Sequence, residues 1–166
     1  VLQFVRRLNR RMVALEKAVA GSLVLAVFAA VLLQVTMRYL FEQPNPWSEE
    51  LSRFCFIWLS MIGASLALES QSHFAFDLAV TKLPRRPRIW AHRCGTGIAT
   101  AVAFGLIILG FGLVHLAHGQ RSAALGLPFA WVYASVPVAG ILMLLHLAAG
   151  LGGTLAEQER QEEKSH

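Results

Sequence analysis

The chain has 166 residues, 55% of them hydrophobic and only 15% charged, with a formal net charge of +5 and a mean hydropathy of +0.53. That length suits one domain. So few charges exclude an ordinary water-exposed surface, since about a quarter of the residues of a soluble domain are charged.

The apolar residues are gathered in four blocks, at about 13–39, 47–68, 91–116 and 129–151. Each exceeds or matches the roughly 20 residues needed to cross a hydrocarbon layer about 30 Å thick. The expected fold is an all-α integral membrane protein with four transmembrane helices. A short interfacial segment lies between the second and third, within a loop at 69–90, and a polar tail occupies 152–166. The first block follows Arg6, Arg7, Arg10 and Arg11, as a signal peptide would. Its apolar core is too long for a signal h-region, so it is read as a retained helix.

Charge placement sets the expected orientation. Lys and Arg at 6, 7, 10, 11, 17, 82, 85, 86, 88, 93, 160 and 164 fall on one side of such a four-span chain, and only Arg38, Arg53 and Arg121 on the other. The positive-inside rule then places both termini in the cytoplasm. The basic excess reads as topology and as contact with anionic lipid, not as a nucleic-acid surface.

Along the first span, Ala18, Ser22 and Ala26 recur every four residues. Gly63 in the second span and Gly97, Ala101 and Gly105 in the third have similar spacing. Small residues at such intervals let helices approach closely in lipid, so these are the expected packing seams. Cys55 and Cys94 lie near opposite ends of their spans, about 20 Å apart in depth by helix rise, which is too far for a disulfide. In the fourth span Trp131 and Tyr133 suit a headgroup belt, and Pro137 should kink the helix or free a carbonyl.

The stretch NPWSEELSRF, Asn45 to Phe54, opens the second span with unusual polarity. Asn45 can cap the helix ahead of Pro46 at its first position, or Ser48 can cap it one turn later. Glu49 and Glu50 then meet the positive end of the helix dipole. Arg53 follows them by four and three residues, the spacing for side-chain pairing. Arg38, across the short connection from the first span, is expected to join the same cluster, with Trp47 marking the interface.

The wider run from Met37 to Asp77 resembles the small membrane subunit of tripartite ATP-independent periplasmic (TRAP) transporters. The resembling features are Arg38-Tyr39-x-Phe41, Trp47-Ser48-Glu49-Glu50-Leu51-x-Arg53, Trp58 with Gly63-Ala64, and His73 with Asp77. Leu83-Pro84 and Trp131-x-Tyr133 followed by Pro137 also fit, so the resemblance spans roughly residues 15 to 150. Ser70-Gln71 departs from the basic residue and glycine common before that His.

The resemblance implies an accessory, non-enzymatic subunit of the bacterial inner membrane, with no catalytic residue, metal or cofactor of its own. Substrate and Na⁺ sites would lie on a large elevator subunit, and a periplasmic binding protein would deliver an organic anion such as a carboxylate or a sialic acid-like solute. Arg38, Trp47, Glu49, Glu50, Arg53 and Trp58 are then candidate interface or network residues. His73 and Asp77 are candidate tethers of the interfacial segment. This agrees with the residues themselves, because no acid or base is expected near mid-membrane, where a transporter's ion site belongs. The chain also contains no GxxxxGK[ST] loop for ATP.

Two rival readings carry chemistry. A haem-binding anchor of a redox complex needs a pair of His ligands, and His92 with His146 is the only plausible pair. His115 and His118 lie at the other end of the third span. A small self-assembling efflux transporter needs an intramembrane carboxylate, and Glu16 stands too near the edge of its span.

Overall fold

A computed structural model describes the backbone of residues 2–71 and 85–163, and the side chains of residues 7–70 and 94–150. The interfacial segment with His73 and Asp77 lies outside the described residues. Five helices make up the described chain: α1 (Leu2–Leu40), α2 (Pro46–Gln71), α3 (Arg85–Leu116), α4 (Phe129–Tyr133) and α5 (Ser135–Glu163). Four apolar stretches are long enough to cross a membrane: Arg7–Leu40, Pro46–Ser70, Cys94–Leu116, and Phe129–Gly150, which runs through α4 and α5.

α1 has 39 residues, about 58 Å of helix, and so exceeds an apolar layer of about 30 Å. Several hydroxyls within the spans are satisfied by their own helix, although the buried Ser65 hydroxyl has no hydrogen-bond partner among the described residues. Ser22, Thr36, Ser60 and Thr100 each donate to the carbonyl four residues earlier at 2.8–2.9 Å, which removes the cost of a bare hydroxyl in hydrocarbon.

The turn from α1 to α2 is short. Glu42 adopts a left-handed φ of 54°, and the Gln43 amide donates to Met37 O across the helix end at 3.1 Å. Pro46 then takes the first helical position, which leaves Asn45 as the cap. Ser48 is fully buried and its hydroxyl donates to Asn45 O at 2.9 Å.

Pro137 acts as expected of it. It has no N–H for the carbonyl of Tyr133 four residues back, and its ring crowds that carbonyl. The last span accordingly breaks at Ala134, where α4 ends and α5 begins. The Val138 amide resumes the helical pattern by donating to Ala134 O at 3.2 Å.

The helices pack in the order α1, α2, α5, α3, with α1 also touching α5. Two glycines set the closest approach between α3 and α5. A Cβ on Gly140 would stand 2.8 Å from Ala103 O, and one on Gly110 would stand 2.6 Å from Pro137 Cδ. Ala103 and Ala139 are also buried here. The seams anticipated from spacing are corrected by this packing. Ala18, Ser22, Gly97 and Ala101 are exposed, and Ala26, Gly63 and Gly105 are half-buried. A Cβ on Gly63, Gly97 or Gly105 would meet nothing within 4 Å. Helices rich in Ala and Gly carry several small-residue stripes, and local spacing does not say which one faces the neighbour.

Candidate functional site: two carboxylate ties at opposite ends of the bundle

At the end bearing the short connections, Glu50 leaves the first turn of α2 and reaches the loop between α3 and α4. Its Oε1 accepts the Ala123 amide at 3.1 Å, and its Oε2 accepts the Ala124 and Leu125 amides at 3.2 and 3.0 Å. Three successive N–H groups converging on one anion form a backbone nest, and bonds to an ionised acceptor are stronger than neutral ones.

The loop is pre-folded to offer those amides. The buried Ser122 accepts the Gly126 amide on its carbonyl and the Leu127 amide on its hydroxyl, and its own amide donates to Leu127 O. Gly126 adopts a φ of 66° to close this turn. The Phe129 amide donates to Gln120 O at 3.0 Å. Just below, Phe54 of α2 meets Phe129 edge-on with ring centroids 5.8 Å apart.

The four charged residues expected to form one network are divided. Glu49 and Arg53 pair at 2.9 Å along α2, both largely exposed. Glu50 turns away from Arg53 to the loop. Arg38 is exposed and makes no hydrogen bond or ion pair with another described residue. Trp47 is exposed at the same end, and Trp58 is half-buried farther along α2.

A second tie, toward the terminal end, joins α1 to α5. His146 Nε2 lies 2.9 Å from Glu16 Oε1, and His146 Nδ1 lies 2.8 Å from Asn9 Oδ1. Glu16 and His146 are buried, at 5% and 4% exposure. The ring thus bridges two residues of α1, and which nitrogen donates follows its tautomer. The other carboxylate oxygen of Glu16 is buried and has no hydrogen-bond partner. Asn9 and Glu16 are seven residues apart and share one helix face with the buried Val13.

Sequence reasoning considered Glu16 and His146 separately and joined neither to Asn9. A polar residue within a span ordinarily seeks a partner on another helix, which was the available signal. The loop amides gave no such signal, because backbone donors look alike in any sequence. The tie also bears on the haem reading, since both nitrogens of His146 are engaged. The His92 side chain lies outside the described residues. His115 and His118 lie together at the far end of α3, with centroids 6.1 Å apart. Among the described residues no group of three or more His, Cys, Asp or Glu could hold a metal ion.

Comparison with known proteins places this architecture. Residues 27–156 match the family described as tripartite ATP-independent periplasmic transporters, DctQ component. The sialic acid TRAP transporter small permease protein SiaQ of Vibrio cholerae is 31% identical over 136 residues, covering 78% of this chain and 75% of that protein. The C4-dicarboxylate TRAP transporter small permease protein DctQ of Rhodobacter capsulatus is 30% identical over 114 residues, covering 65% of this chain and 50% of that one. The sialic acid TRAP transporter permease protein SiaT of Haemophilus influenzae is 29% identical over 130 residues, 78% of this chain but only 21% of that much longer protein. With the four spans that the apolar blocks predict, this multi-pass membrane chain belongs to the DctQ-component family, the small permease subunits of TRAP transporters.

Proposed function

We propose that this small permease subunit acts without catalysis of its own, packing against and supporting a large elevator subunit that carries the substrate and Na⁺ sites. A periplasmic binding protein would deliver the solute, an organic anion such as a carboxylate or a sialic acid-like compound. The chain would lie in a bacterial inner membrane with both termini in the cytoplasm, and its basic residues would face anionic lipid there.

One observation carries the reading. Two carboxylates of the described fold hold it together, Glu50 on loop amides and Glu16 through one oxygen on His146. Neither is left as an open intramembrane site of the kind that couples ions to transport. The relative SiaT adds support. The match covers 21% of its length, so a stretch similar to this chain is there joined to a far larger permease polypeptide.

Two surface features suit contact with other chains at the loop end. Arg38 is exposed without a described partner, and Glu49–Arg53 presents an exposed pair. The Glu50 nest holds the 122–127 turn in one shape beside them. Arg53→Ala and Glu50→Gln are therefore expected to reduce assembly or uptake, and normal assembly with normal uptake in both variants overturns that role.

The primary test is mass spectrometry of what co-purifies with the tagged chain from its native membrane in mild detergent. A stoichiometric, larger multi-span membrane protein is expected. Recovery of the chain alone, or with a flavin or iron–sulfur protein, overturns the reading.

A further inference from the structure

We infer that His115 and His118, at the loop end of α3, form a two-imidazole binding site for a divalent transition-metal ion such as Zn²⁺ or Cu²⁺, with water filling its remaining positions. The family resemblance does not imply such a site. It follows from the geometry of this helix end and stands independently of the accessory-subunit reading.

The backbone brings the two rings together. α3 ends at Leu116, and the chain then tightens, because the His118 amide donates to His115 O at 3.2 Å. In a 3₁₀-type turn of this kind, side chains three residues apart stand over one another. The two rings accordingly lie side by side, with centroids 6.1 Å apart and planes inclined by 41°. Gly119, with a φ of 91°, then ends the helical path.

The ring chemistry suits a metal. A carbonyl can only accept, so the 3.0 Å contact between His118 Nδ1 and Val114 O places the proton of the neutral ring on Nδ1 and leaves the Nε2 lone pair free. Metal-binding histidines are oriented in this way, by a hydrogen bond from the other ring nitrogen to a carbonyl or carboxylate. That bond alone would be a cap on a helix end, but it uses only the nitrogen a metal does not need. His115 has no hydrogen-bond partner among the described residues. Both side chains are exposed, so water can complete the coordination.

Distance and charge agree. With metal–nitrogen bonds of about 2.0–2.1 Å at a tetrahedral angle, two imidazole centroids stand roughly 5 Å apart. The pair at 6.1 Å must close by about 1 Å, which rotation about the loose χ2 of an exposed histidine supplies. The negative end of the α3 dipole favours a cation here. Arg121, the nearest basic residue in sequence, donates to Gly126 O and so directs its charge to the loop. Imidazole selects Zn²⁺, Cu²⁺ or Ni²⁺, whereas Mg²⁺ and Ca²⁺ take oxygen ligands.

The test uses the full chain in detergent, purified with a tag that contains no histidine. Calorimetric titration with Cu²⁺ is expected to show a single ion bound per chain, and the electron paramagnetic resonance spectrum of that ion should show coupling to two nitrogens. His115→Gln and His118→Gln should each weaken the affinity by about tenfold or more, since losing even an outer support of a metal ligand costs about 10–100-fold. The double variant should lose the site while keeping the helical circular dichroism of the wild-type protein. Zn²⁺ is expected to compete with Cu²⁺, and Ca²⁺ is not.

Unchanged Cu²⁺ affinity in the double variant overturns the site, because the ion is then held by other groups of the chain. A spectrum that His118→Gln leaves unaltered overturns the pairing of the two rings. Displacement of the ion by Ca²⁺ overturns the imidazole assignment in favour of oxygen ligands. None of these results bears on recovery of a large membrane partner, so failure of the metal site and failure of the accessory-subunit reading are told apart.

Discussion

Glu50 and Glu16 are the same side chain placed at opposite ends of one bundle, and the fold treats them differently. Glu50, at a half-buried helix start, is held by three backbone amides of a loop 73–75 residues away. Glu16, enclosed between α1 and α5, is held by a single imidazole 130 residues away. The first arrangement organises a loop that water can reach, so its loss is local. The second joins a buried carboxyl to a buried imidazole inside an apolar seam, so its loss is global. Exposure, more than the number of hydrogen bonds, decides how much each carboxylate matters to stability.

The largest effect is expected from separating the inner pair. His146→Leu leaves Glu16 buried without its partner and should destabilise the protein by about 3–5 kcal/mol, the usual cost of breaking a buried pair from one side. Glu16→Leu/His146→Leu should recover most of that loss, because two apolar side chains replace two buried polar ones. A thermal or denaturant midpoint compares the three proteins. A double variant no better than the single one breaks the contrast drawn between the two ends.

Between the two ends, Gly140→Ala tests the α3–α5 seam independently of either carboxylate. The new methyl would stand 2.8 Å from Ala103 O, and overpacking of this kind costs about 1–3 kcal/mol. Gly97→Ala, where a Cβ meets nothing, is the matched control, expected to be neutral or slightly stabilising through helix propensity.

Glu50→Ala should act locally. Hydrogen exchange at Ala123, Ala124 and Leu125 is expected to rise about tenfold or more, while the amides of α1 stay protected, as for any opening confined to one loop. Uniform loss of protection across all helices would make Glu50 a global tie like Glu16. The smallest effect belongs to Arg53→Ala, whose exposed pair with Glu49 contributes about 0.3–0.5 kcal/mol. A midpoint shift within that range, together with weakened assembly, would assign Arg53 to contact with another chain.

Much of this was legible in the residues because it is local. Span length, helix caps, the Pro137 break and the Glu49–Arg53 pair each depend on neighbours within a few positions. The match of the Trp47–Arg53 motif and its surroundings to the family agrees with residues 27–156 matching the DctQ component. The packing stripe was not legible. Gly110 and Gly140 were passed over, and the regularly spaced Ala18, Ser22, Ala26, Gly97 and Ala101 were preferred. In a helix of small residues every face looks suitable.

By itself, then, the sequence determined a four-span membrane chain of this family and the polar start of α2, since hydropathy, capping and charge pairing act over one or two turns. Only the tertiary structure decided that Glu50 belongs to the 123–125 amides, that Glu16 and Asn9 meet at His146, and that Gly110 and Gly140 carry the close approach of α3 and α5. Those choices depend on the rotation and depth of each helix against the others. Rotation and depth are set by contacts between residues tens to more than a hundred positions apart, and no local pattern encodes them.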